Sequence, residues 1–200
     1  MEKSSTTLLS AGIYKSNYER DSVFMDNSNK ILFPILLLMA ALLSGCTGIP
    51  KNVQPVSDFE LDRYLGKWYE IARLDHSFER GLSKVTAEYT LRSDGGVRVL
   101  NRGYSLEEQT WNEAEGKAYF VEDSKTGHLK VSFFGPFYAS YVIAELDQKN
   151  YQHAFITGPD TDYLWLLSRT PEITQDTRAE FLEFAQTKGF ATEELIWVAQ

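Results

Sequence analysis

The sequence predicts an all-β fold: an eight-stranded, antiparallel, up-and-down barrel, followed by one C-terminal α-helix and a short ninth strand. Three observations predict it. From Trp68 onward, stretches of about 6–9 residues alternate apolar with polar side chains, and turn-forming residues interrupt them every 8–12 positions or so. The alternation yields once, between Thr174 and Gly189, to the spacing of a helix. Aromatic residues make up 14% of the 200, while cysteine occurs once, so packed rings rather than disulfides must hold the fold.

The first strand covers 68–74. In the second, Val85, Ala87, Tyr89 and Leu91 alternate with Lys84, Thr86, Glu88, Thr90 and Arg92. Ser93-Asp94-Gly95-Gly96 then supplies an Asp-Gly turn, after which Val97 and Val99 flank Arg98. Leu129, Val131 and Phe133 alternate with His128, Lys130 and Ser132. Further strands fall at 116–121, 138–146, 151–157 and 163–169. Thr174 can cap a helix over 175–188, Gly189 ends it, and Phe190 packs back on the last turn. Ile196-Trp197-Val198 forms the ninth strand. Eight strands close a barrel just wide enough for one small ligand.

Composition excludes several functions. Lys and Arg number 20 against 28 Asp and Glu, a net charge of −8, which disfavours nucleic-acid binding. One cysteine and three scattered histidines leave no metal knuckle and suggest no metal or cofactor. Asp75-His76-Ser77 spells three triad residues, but triads are set by spatial geometry and not by adjacency, so no catalytic residue is assigned.

The N-terminal quarter has a different character. Residues 31–43 are uncharged, too short a run to span a bilayer, which takes about 20 apolar residues, and suited to a secretory signal with Lys30 as its flank. Met25 to Gly45 has the length of such a signal, and the polar leader 1–24 reads as the product of an upstream start codon. Leu43-Ser44-Gly45-Cys46 resembles the bacterial lipobox. That resemblance implies lipidation of Cys46 with three acyl chains, a stable anchor, and, because Thr47 rather than aspartate follows, the periplasmic face of the outer membrane. Residues 46–57, with Pro50 and Pro55, read as a lipidated tether with little structure, and 58–200 as one domain.

Leu65-Gly66-Lys67-Trp68-Tyr69-Glu70 opens the first strand, and Arg169 ends the last long one. With eight strands and one helix between and after them, this set resembles the lipocalins. Gly66 to Arg73, Ser132 to Phe137 and Asp162 to Pro171 narrow the resemblance to the lipid-anchored bacterial branch, related to apolipoprotein D and the plant temperature-induced lipocalins, over residues 56–198. It implies that Gly66, Trp68 and Arg169 close one end of the barrel, the arginine packing over the tryptophan. It also implies a non-enzymatic binder of fatty acids or lysophospholipids, serving storage or transport for envelope maintenance. Two alternatives stand beside it: a lipid-modifying lipocalin-type enzyme, whose cysteine nucleophile would lie inside the barrel, and a lipid-anchored interaction module without ligand. Thr161-Asp162-Tyr163 spells a second lipocalin motif, but strand counting puts it at the open end. Leu146-Asp147 with Tyr151 is the expected counterpart.

Alternation assigns the lining, with Lys84, Glu88, Arg98, Lys117, Lys130 and Glu145 marking the outside. Ala87 and Tyr89 then face inward, as do Val97, Val99 and Asn101. Ala118 and Phe120 follow on the fourth strand, and Leu129, Val131 and Phe133 on the fifth. On the sixth, Ser140, Val142 and Ala144 face in, leaving Tyr141 and Ile143 outside as apolar surface for a homodimer. The seventh reads either way and is assigned His153, Phe155 and Thr157. Tyr163, Trp165, Leu167 and Arg169 share the eighth strand's inner face. Such a lining suits an acyl chain, worth up to about 0.8 kcal/mol per buried methylene. His76 and Arg80, at the mouth, are candidates for a lipid carboxylate or phosphate.

Overall fold

A short helix α1 (Leu61–Tyr64) leads into strand β1 (Gly66–Arg73), followed by β2 (Leu82–Leu91), β3 (Val97–Ser105) and β4 (Thr110–Phe120). Then come β5 (His128–Ser132), β6 (Ala139–Leu146), β7 (His153–Thr157), β8 (Leu164–Ser168), helix α2 (Gln175–Lys188), a 3-10 turn (Thr192–Glu194) and β9 (Ile196–Trp197). The computed structural model describes residues 47–200. The expected leader, signal and Cys46 lie outside the described residues. Each strand from β1 to β8 pairs antiparallel with the next, and β8 pairs back with β1, so the sheet closes on itself. β9 joins the free edge of β1 at Ala72 and Arg73.

Closure follows from where apolar side chains fall. The interior holds Trp68, Ala87, Tyr89, Val97, Val99, Ala118, Leu129, Ile143, Ala154, Ile156 and Leu167. A second apolar layer lies outside the wall, where Ile71, Val142, Ala144, Phe155, Leu164 and Leu166 pack beneath Phe181, Phe184 and Ala185 of α2. Thr174 caps that helix, its hydroxyl accepting from Thr177 N–H at 3.1 Å. Gly189 ends it at φ 86°, a left-handed conformation that glycine adopts without steric cost.

This second layer overturns part of the expected lining. Strands β6 and β7 are apolar on both faces, so alternation alone does not say which face is inside. Two physical features decide it. β6 carries a bulge between Ile143 and Glu145, so counting back from exposed Glu145 gives the wrong phase. Ile143 and Tyr141 therefore point into the barrel, while Ser140, Val142 and Ala144 point out. On β7, Ala154 and Ile156 face inward; Phe155 lies outside, 5.1 Å from the Phe181 ring and 5.5 Å from Phe184. His153 faces α2, with Nε2 3.8 Å from Glu180. The homodimer argument loses its basis, because Tyr141 and Ile143 are not surface residues.

The segment expected to be a loose tether has no helix or strand after Thr47 but is packed. Val53 is buried against the outer layer. Val56 N–H donates to Ile143 O at 2.9 Å and its carbonyl accepts from Gly127 N–H at 2.9 Å.

Phe181 is fully buried between Phe155 and Trp197. Phe181→Ala should cost about 3–5 kcal/mol of folding stability, the usual loss for emptying a buried ring site, read from urea denaturation.

Candidate functional site

One end of the barrel is sealed. α1 crosses it, and Trp68 rises from β1 to fill the base, fully buried, its indole N–H donating to Tyr64 O at 2.8 Å. The Arg169 guanidinium lies 3.9 Å over the indole ring. It donates to the carbonyls of Lys67 (3.0 Å), Arg63 (2.7 Å), Tyr64 (3.1 Å) and Tyr151 (3.3 Å). Gly66 sits at φ 93°, and a Cβ there would stand 3.5 Å from Arg169 Nη1, so backbone conformation as well as space favours glycine. Asp147 and Tyr151 belong to this end: Asp147 accepts from Asn150 N–H at 3.1 Å, and the Tyr151 hydroxyl accepts from Glu60 N–H at 3.0 Å. Thr161 and Asp162 lie in the β7–β8 loop at the opposite end.

Above the seal the interior narrows to a cavity of about 50 Å³, lined by Val85, Ala87, Tyr89, Asn101, Tyr141, Ile156, Trp165 and Leu167 together with Glu70 and Glu79. A space of about 10 Å³ lies nearer the base, among Phe59, Tyr64, Val97, Ala118 and Leu129. Tyr141 separates the two, its hydroxyl 2.7 Å from that of Tyr64 and 2.8 Å from that of Tyr89. Burial pushes all three phenols above the ordinary tyrosine range.

A charged cluster borders the cavity. A bulge in β1 between Glu70 and Ala72 turns both Glu70 and Arg73 inward. Arg73 donates to Glu70 Oε1 at 2.7 Å and to Glu79 O at 2.8 Å. Trp165 Nε1 donates to Glu79 Oε2 at 3.0 Å. Burial, then the adjacent Glu79 carboxylate, push the Glu70 carboxyl up to about 8 against the pull of Arg73. Glu79 is raised too, by burial, with Trp165 and Arg73 holding it down. Two buried carboxyls beside one guanidinium thus hold a proton between them more readily than free carboxyls do, and Arg73 balances the remaining charge.

A family model for the lipocalin-like domain matches residues 59–200. The chain belongs to the lipocalin-like family. Among its relatives, the outer membrane lipoprotein Blc of Vibrio cholerae is 64% identical over 165 residues, spanning 82% of this chain and 96% of that protein. Escherichia coli Blc is 53% identical over 151 residues, 76% of this chain and 85% of that protein. Bovine apolipoprotein D is 30% identical, over 82% of this chain and 94% of its own. The solved structure of insecticyanin from the tobacco hornworm superposes with a TM-score of 0.61 at 21% identity, covering 76% of this chain and 87% of that one, a likeness of fold alone.

In this lipocalin, Ala87, Tyr89, Val97, Val99, Ala118 and Leu129 lie in the barrel interior, and Phe120, Val131, Phe133 and Trp165 pack against them, partly buried. Ser140, Val142 and Phe155 are not lining residues; Ser140 Oγ meets His128 Nε2 at 2.9 Å on the outer wall. Tyr163 stands at the mouth, stacked 4.7 Å from the His76 ring, which also meets Trp165 at 4.9 Å and Phe78 at 5.2 Å. His76 is thus a buried residue of the β1–β2 loop, and burial lowers its pKa. Arg80 is exposed and paired with Asp75, Nε to Oδ2 at 3.0 Å, so its charge is already matched. Glu70, Arg73, Glu79, Tyr64 and Tyr141 escaped sequence reasoning. Only Glu70 carried a signal: it is two residues past Trp68, hence on the same strand face. Among the described residues no group of three or more His, Cys, Asp or Glu is placed to hold a metal.

The folded state holds a proton on the Glu70–Glu79 pair that unfolded glutamates release at about pH 4.3, so stability falls as pH rises above the ordinary carboxyl range. Glu70→Gln, neutral throughout, should flatten that slope, measured as urea midpoints at about pH 5 and pH 8; an unchanged slope would contradict the proton's assignment.

Proposed function

We propose that this lipocalin is a lipid-binding outer-membrane lipoprotein, anchored through Cys46 on the periplasmic face, that stores or carries fatty acids or lysophospholipids. The observation that carries this reading is a barrel sealed at one end by Trp68 and Arg169, with an aliphatic and aromatic interior leading to the other end. Identity of 64% to an outer membrane lipoprotein supports the anchor and the address. The role is binding rather than catalysis, since the chain's single cysteine precedes the barrel.

The interior also orients the ligand. Small-molecule sites enclose about 300–1,000 Å³, far more than the present cavity, so an acyl chain enters by displacing the side chains that cross the axis, Tyr141 and Trp165. A carboxylate or phosphate carried into the aliphatic and aromatic interior would lose its hydration with no free cation among the described lining residues to replace it, because Arg73 is already engaged by Glu70 and by the Glu79 backbone. The anionic end therefore stays at the mouth, and the chain points toward Trp68.

Two measurements test the reading. Mass spectrometry of protein extracted from membranes should find acyl groups on Cys46 and a co-purified single-chain lipid; a turned-over lipid would favour an enzyme, and an empty barrel an interaction module. Trp165→Ala and Phe133→Ala should each weaken fatty-acid binding about tenfold or more, while Leu91→Ala, on an exposed residue, should not. Unchanged affinity in both interior variants would discredit the barrel as the site.

A further inference from the structure

Exposed apolar surface is concentrated at the open end. Phe134 (82% exposed), Phe137 (72%), Leu106 (68%) and Phe78 (63%) occupy the β5–β6, β3–β4 and β1–β2 loops. The loops of the sealed end instead carry Arg92, Asp94, Asp123, Lys125, Asp147 and Lys149, and Leu91 is the one large apolar side chain exposed beside them among the described residues. The Phe133-Phe134-Gly135-Pro136-Phe137-Tyr138 loop contains no charge at all. Trp111, at the start of β4, is half-exposed on the outer wall next to the rim, with Tyr104 at 5.5 Å and the Arg102 guanidinium 4.3 Å over its ring. An indole with a cationic neighbour suits the boundary between hydrocarbon and water.

The course of the chain gives a second, independent observation. Gly48 lies against the Pro159 carbonyl in the β7–β8 loop, at the mouth. Thr47 is hydrogen-bonded through its backbone to His128 on the outer wall, and the segment continues along that wall to Val56, which pairs with Gly127 and Ile143. Cys46 is one peptide bond from Thr47, and consecutive Cα atoms stand about 3.8 Å apart. The described chain therefore begins beside a loop of the mouth, and an anchor ahead of it would act close to that rim.

We infer that the barrel mouth docks onto a phospholipid bilayer surface, with the 133–138 loop as its inserted edge and Leu106 and Trp111 beside it. Glu107, Glu108, Asp160 and Asp162 share the rim, so the surface that accepts it is zwitterionic rather than strongly anionic. A lipid leaving that leaflet then enters the barrel without crossing water. This inference rests on the lipid-anchored reading above, and it adds an orientation and a contact surface to it.

The acylated protein, extracted from membranes and reconstituted in phosphatidylcholine vesicles containing spin-labelled lipid, tests it. A fluorophore attached through Phe134→Cys should be quenched about threefold or more by entering the acyl boundary, and one attached through Lys149→Cys, at the sealed end, should not. Equal, water-like exposure of both probes would overturn the docking. The double variant Phe134→Ser/Phe137→Ser changes only exposed side chains. It should slow transfer of a fluorescent lysophospholipid from vesicles to protein about tenfold, since the inserted edge is lost, and leave uptake from cyclodextrin unchanged. Equal transfer rates would also overturn the docking. If the unaltered protein takes no lipid from cyclodextrin, the lipid-binding reading fails, and the depth measurement alone decides the orientation.

Discussion

The contact on which the architecture depends is the guanidinium of Arg169 over the indole of Trp68. A cation above an aromatic face gains about 0.5–2 kcal/mol, the upper end where water is excluded. Here the same cation also satisfies carbonyls from α1, from β1 and from the β6–β7 loop. The 63–67 stretch, the β6–β7 loop and the end of β8, distant in sequence, are thereby fixed together at one end of the barrel. With that end sealed, the interior has a single direction of access. The loops at the other end become the rim, and a molecule that enters must pass them.

The interior is not uniformly apolar, and that matters for what it can hold. Glu70, Arg73 and Glu79 form a buried cluster in which one proton and one ion pair leave no net charge. Breaking a buried pair by removing one partner usually costs several kcal/mol, so the cluster is sensitive to substitution even though it adds little net stability as a whole. Among the described residues it leaves the cavity without a free cation, since Arg73 is already paired. The tyrosine hydroxyls below it form a short relay from Tyr64 through Tyr141 to Tyr89, which gives the narrow part of the barrel a hydrogen-bonded cross-brace that a ligand must displace.

Much of this was legible in the sequence. The strand count, the helix with its Thr174 cap and Gly189 stop, and the ninth strand all follow from local pattern, because each element's apolar spacing and turn chemistry agree with the tertiary fold. The faces of β6 and β7 were not legible, for two reasons that belong to structure. α2 makes the outer wall apolar where it packs, so Val142 and Phe155 look like lining residues while serving the outer layer. The bulge between Ile143 and Glu145 shifts the phase by one residue, and nothing in Tyr141-Val142-Ile143-Ala144-Glu145 marks it. Bulges hid the charged cluster too: Glu70 and Arg73 are three apart, which in a regular strand puts them on opposite faces, and Glu79 comes from a loop whose path no local signal specifies.

On the proposed reading, a bound fatty acid lies along the barrel axis with its methyl end toward Trp68. Paramagnetic relaxation from a fatty acid spin-labelled near its methyl end, read on the backbone amides, tests it most directly. Broadening is expected at Val97, Ala118 and Leu129, shifting to Phe78 and Tyr163 when the label is moved next to the carboxylate. Broadening centred instead on Val142 and Phe155, beneath α2, or spread without preference over the outer wall, would contradict it.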